Sequence, residues 1–143
     1  MKKFMQKKLN QKGLTLVELL AVIVILGIIA AIAIPAIGSI IENSRVSAIK
    51  GDAQNTLAAA NMYFTENPGA EPVLGSKLQS EGFLENVGSA KGLTVTYKKG
   101  GNTIDGTATA KNTTVTFSNA TNENISESGK STTVNGVAAT PPS

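Results

Sequence analysis

From Gly13 to Ile41 the chain has a single charged side chain, Glu18. The 23 uncharged residues Leu19–Ile41 exceed the roughly 20 needed to cross the hydrocarbon core of a bilayer. No other segment approaches this length, so the chain crosses a membrane at most once. The acid is the odd element. A charge placed centrally in such a span costs about 2.5–3.5 kcal/mol on insertion scales, and an anchor alone would have Leu there. Two explanations stand at this point. Glu18 lies near the start of the span and can reach the headgroups, or it serves a function and has a partner.

Charge is distributed to match. Five of the thirteen basic residues (Lys2, Lys3, Lys7, Lys8 and Lys12) precede Gly13, leaving eight basic against ten acidic side chains afterwards. The positive-inside rule keeps the lysine cluster cytoplasmic and sends everything beyond Ile41 outward. The basic pI therefore reports a cationic N-terminus. With no basic run beyond Lys98–Lys99, direct nucleic-acid binding is not expected. The chain has no Cys and no His, which removes disulfides, thiol nucleophiles and the commonest general base.

Past Ile41 the helical pattern continues. Val46, Ile49, Ala53, Leu57, Ala60 and Phe64 fall at spacings of 3, 4, 4, 3 and 4, one stripe of a helix. Arg45, Lys50, Asp52, Gln54 and Asn55 are read as its polar opposite face. The stop comes at Pro68, Gly69 and Pro72. Residues 14 to about 65 thus read as one helix, roughly 75 Å long at 1.5 Å per residue. Pro35 removes a backbone hydrogen bond inside it at a cost of about 3 kcal/mol. With Gly27 two turns earlier, that segment is the helix's weak point, although Gly and Pro are also ordinary in membrane helices.

The remainder reads as a small head. One short helical turn is expected in GSKLQSEGFLENV, anchored by Leu78, Phe83 and Leu84. Period-two alternation then puts Leu93, Val95 and Tyr97 on one strand face and Val115 and Phe117 on another, with Thr between them. Gly100–Gly101 marks a hairpin turn, NATNENISESGK an exposed loop, and STTVNGVA a last strand. The expected fold is α+β, a long helix packed on a small antiparallel sheet. Fewer than 80 residues without disulfides make a marginal head, which neighbours in an assembly can stabilise.

Catalytic patterns are thin. Ser47 and Lys50 match S-x-x-K, but the accompanying S-D-N and K-T-G motifs are absent and both lie on the helix. Glu123 and Glu127 lack the ligand density of a calcium loop. No enzyme activity, catalytic residue, cofactor or metal is therefore expected. Asn112, Asn119 and Asn124 open N-x-S/T triplets, so glycosylation is open. A cleaved secretory signal with Ala31–Ala33 as its site fits poorly. Its apolar stretch is too long, and cleavage there would discard Glu18.

QKGLTLVELLAVIVILGIIAAIAIP, with the residues around it from Lys2 to about Ser44, resembles the N-terminus of type IV pilins and pseudopilins. The resemblance implies a leader, residues 1–13, cut by a prepilin peptidase directly after Gly13, and N-methylation of the new terminus, Leu14. It aligns Glu18 with the family's acid at mature position five, Gly27 with its glycine, and Pro35 with its helix-breaking proline. Many members begin with Phe instead of Leu and close a C-terminal loop with a Cys pair absent here, a departure more like Gram-positive pilins.

The domains expected are the leader 1–13, a transmembrane and filament-core half-helix 14–41, an amphipathic half-helix 42–66, and a head 67–143. The resemblance further implies a homopolymer, built at the inner membrane by an assembly platform with a cytoplasmic motor ATPase, leaving as an extracellular type IV pilus associated with adhesion or twitching. In such an array Glu18 would pair with the Leu14 amine of a neighbour. The alternatives are a pseudopilin of a type II secretion or DNA-uptake system and a single-pass anchored binding module.

Overall fold

A computed structural model describes residues Lys2–Gly136, with side chains from Gly13 onward. Its elements are α1 (Lys2–Glu66), β1 (Val73–Leu74), α2 (Gly75–Ser80), a 3₁₀ turn (Gly88–Ala90), β2 (Thr94–Thr96), β3 (Thr103–Ala110), β4 (Thr113–Ala120), α3 (Asn122–Glu127) and β5 (Thr133–Asn135). Contacts divide the chain into two units, one ending at Ile41 and the other beginning at Glu42. The first holds the N-terminal part of α1, including its apolar stretch. The second, the head, combines the remainder of α1 with all the other elements.

In the head, all six residues of the periodic stripe are buried, from Val46 to Phe64. They meet Leu78, Leu93, Val95, Ile104, Val115, Phe117 and Val134 in one core. α1 ends where the sequence breaks it. The backbone and side-chain amides of Asn67 both donate to the Tyr63 carbonyl, satisfying an otherwise orphaned acceptor. Pro68 and Gly69, the latter at φ +79°, then turn the chain. The opposite end departs from expectation, because α1 extends back through Gly13 to Lys2. Lys, Gln, Met and Leu, good helix formers, dominate that stretch.

The sheet has the order β1-β2-β3-β4-β5. The first four strands pair antiparallel. β5 pairs parallel to β4, through Thr116–Thr133, Phe117–Val134 and Ser118–Asn135. The sheet is therefore mixed where a purely antiparallel one was expected, and the cause is α3. Parallel neighbours require a crossover of about a dozen residues, usually helical. The segment expected as an exposed loop supplies it. Thr121 caps α3 by accepting from the Asn124 amide, while the Asn124 side chain accepts from the Thr121 amide. Ile125 is buried beneath the turn.

Two further strand details differ from the sequence reading. β3, for which no strand was expected, is one of the two longest, with Gly106 at φ +127° beside a bulge. Tyr97 lies just past β2 and is 59% exposed, so it leaves the face it was expected to share with the buried Leu93 and Val95. The hairpin at Gly100–Gly101 forms between β2 and β3, with φ of +103° and +148° at the two glycines.

Candidate assembly surface and the helix that carries it

From Leu14 to Ile41 the exposed surface of the first unit is apolar on every side, Glu18 apart. Its large hydrophobic residues from Leu14 to Ile41 are each 44–71% exposed. One candidate membrane span is found among the described residues. It lies within Gly13–Glu66 and reaches a mean hydropathy of 3.0 over 18 residues. A greasy helix of this kind is stable only in lipid or against other chains.

The five residues singled out in sequence all lie along this helix. Leu14 and Glu18 are four apart, hence on one face and one turn from each other, about 6 Å along the axis. Glu18 is exposed. Gly27 and Pro35 stand eight residues apart, about 12 Å of rise. α1 stays helical through both, including Pro35. A Cβ added at Gly13, Gly27 or Gly38 meets nothing within 4 Å. Packing inside the chain therefore does not require these glycines.

Polar residues on the head half of α1 have a different task. Asp52 accepts two hydrogen bonds from Ser89, from its amide at 3.0 Å and its hydroxyl at 2.8 Å. Gly88, at φ +56°, leaves room for that carboxylate, since a Cβ there would sit 2.4 Å from Asp52 Oδ2. Gln54 donates to Ser126 on α3 at 3.0 Å. Lys50, expected on the polar face, is instead buried and donates to the Gly129 carbonyl at 2.8 Å. Burial pushes its amine below the ordinary 10.5. Lys77 moves the other way, raised chiefly by its hydrogen bond to the Tyr63 hydroxyl at 3.2 Å and then by charge interactions with Tyr63 and Glu81. The 3₁₀ turn, α3 and the turn at Gly129 are thereby tied to one helix. Only the tertiary fold identifies these clamps, because each partner lies 37 to 79 residues away.

The sequence patterns for catalysis do not converge. Ser47 is exposed, and the Lys50 amine is committed to Gly129. Glu123 and Glu127 lie exposed on α3, and no cluster of three metal-ligating side chains occurs among the described residues. Of the three N-x-S/T asparagines, Asn112 is exposed at the β3–β4 turn. Asn119 and Asn124 are half-buried with side chains in hydrogen bonds.

Comparison with known proteins agrees with this geometry. The family model described as the prokaryotic N-terminal methylation motif matches residues 8–34. The type II secretion system core protein G of Pseudomonas aeruginosa is 41% identical over 63 residues, covering 44% of each chain. The type IV major alpha-pilin of Moraxella bovis is 40% identical over 78 residues, 54% of this chain and 46% of that protein. The chain spans about half the length of these curated relatives, and no solved structure matches it significantly. Over the matched stretches the chain therefore carries the N-terminal methylation motif and is similar to both a type II secretion core protein and a type IV major pilin.

Proposed function

We propose that this chain is a structural, non-enzymatic subunit that polymerises through α1 into an extracellular type IV pilus. The observation that carries the proposal is the apolar surface from Leu14 to Ile41, exposed on every side and bearing one acid a turn from the cleavage point. Prepilin peptidase cuts after Gly13, and Leu14 becomes the methylated terminus. Before assembly the helix rests in the inner membrane. An assembly platform with its cytoplasmic motor then transfers it from lipid to a bundle of like helices.

Glu18 gives that transfer its register. Cleavage creates an amine at Leu14, and a neighbour's Glu18 carboxylate neutralises it in the filament core. Leaving one member of such a buried pair alone typically costs about 3–5 kcal/mol, enough to reject a misplaced subunit. Within its own chain, Glu18 also occupies the first turns of the processed helix, where exposed backbone amides favour an anion. Gly27–Pro35 is the segment that yields when helices crowd, because the proline has already removed one hydrogen bond there.

The test is intact mass and N-terminal sequence of protein from sheared surface material and from membranes, with electron microscopy of the sheared fraction. Filaments containing a chain that starts at a methylated Leu14 support the proposal. A chain that keeps Met1 or starts at Ile34 refutes it. The likeness to a type II secretion core protein favours a second reading, a pseudopilin in a short secretion fibre. Processed chains confined to the envelope, with no surface filament, would select it.

A further inference from the structure

A groove in the head has a chemistry that filament assembly does not use. Two adjoining hollows, of about 340 and 280 Å³, share Asn61, Gly100, Gly101 and Asn102 as walls. Each is near the lower end, about 300 Å³, of pockets that hold small ligands. The first is walled by Phe64 and Tyr97, and the second runs on to Asn122 and Glu123. We infer that this groove binds a neutral oligosaccharide, stacked on Tyr97 and hydrogen-bonded by Asn61 and Asn102.

Three observations carry the assignment. Tyr97 is 59% exposed, yet its ring is held in place by Phe64, with centroids 5.7 Å apart at a 60° tilt. A fixed aromatic face, negative at its centre, suits the C–H face of a sugar ring. The amides are held but not exhausted. Asn102 Nδ2 donates to Asn61 Oδ1 at 2.5 Å, and Asn102 Oδ1 accepts from the Lys98 amide at 3.1 Å. These bonds leave the Asn61 Nδ2 group and the second Asn102 Nδ2 hydrogen to donate to ligand hydroxyls. Gly100 and Gly101 bring bare backbone to the rim, and a Cβ at either meets nothing within 4 Å.

Charge selects against phosphate-rich ligands. The Lys98 amine donates to Asn119 Oδ1, and a carboxylate, Glu123, stands in the wall of the second hollow. A nucleic acid gains affinity from free cations facing its phosphates, and the groove walls supply no such array. A neutral polyhydroxyl chain loses nothing by the exchange.

The test uses full-length protein in a sugar-free zwitterionic detergent, so that detergent headgroups do not compete. An array of neutral hexose and N-acetylhexosamine oligosaccharides, with sialylated glycans and single-stranded DNA as controls, is probed with wild type, Tyr97→Ala and Asn61→Ala. Wild type binding neutral glycans, with each variant weakened about tenfold or more, supports the site. Asn61 is exposed on α1 and Ala favours a helix, so that variant reads binding apart from folding. No glycan binding by wild type, equal binding by Asn61→Ala, or binding confined to the acidic controls overturns it. Monomers suffice, so failure here leaves the filament proposal standing.

Discussion

The two units solve the problem of apolar surface in opposite ways. From Glu42 onward α1 gathers its greasy residues, Met62 excepted, into a stripe and buries it against the head, with Ile49, Ala53 and Ala60 at 0% exposure. From Leu14 to Ile41 the same helix is greasy all round and covers none of its large side chains. One stretch satisfies itself within the chain, whereas the other requires lipid or other copies. A single secondary structure thus serves two solvents, and the change of solvent is written in the change of periodicity.

The largest effect is expected from the acid that interrupts the exposed half. Glu18→Ala or Glu18→Leu should leave processed subunits in the membrane and almost no filaments by electron microscopy. Normal filament yield would show that the exposed unit assembles on apolar contact alone. Next comes a direct contrast between the halves. Ile49→Ala in the head core should lower the head's unfolding free energy by about 2–5 kcal/mol in urea titrations. Ile23→Ala, a similar deletion on the exposed half, should change it by less than about 0.5 kcal/mol. Equal losses would mean that the two units are not energetically separate.

Smaller effects probe the clamps. Asp52→Ala strands the Ser89 amide and hydroxyl and should cost about 1–3 kcal/mol, read in the same titration. The smallest signal comes from Lys50. Its folded pKa lies below 10.5, so in the window between that value and 10.5 the unfolded chain holds more protons and stability rises with pH. The profile of Lys50→Met should lack that rise, so subtracting it from the wild-type profile isolates the contribution of Lys50. A rise of equal size in the variant would assign it to other groups. Lys77 acts in the opposite sense: its contribution is present below 10.5 and is lost as pH climbs through its raised value.

Much of this architecture was legible without coordinates, wherever the signal was local. The six-residue stripe, the stop at Pro68–Gly69, the turn at Gly100–Gly101 and the anchors around Leu78 are each set by neighbours within a few positions. α3 was less visible. Its capping pair, Thr121 and Asn124, was present in the chain, but Asn replaces the usual Glu or Gln at the third position and the surroundings are polar. β3 was hidden because Gly106 and the four Ala or Thr residues that follow it dilute its alternation. The groove was not legible at all, since Asn61 and Asn102 are 41 residues apart and unremarkable individually.

The sequence by itself determined the long apolar helix, the lone acid within it, the amphipathic continuation and the α+β class. These follow from composition and period, which act over one or two helical turns. The tertiary structure alone decided that β5 runs parallel, that Lys50 is buried on a loop carbonyl and that Tyr97 faces the groove. Each depends on where a distant segment returns. In β5 the return is set by α3, whose buried Ile125 and twelve-residue crossover fix the direction in which the chain reaches the sheet edge.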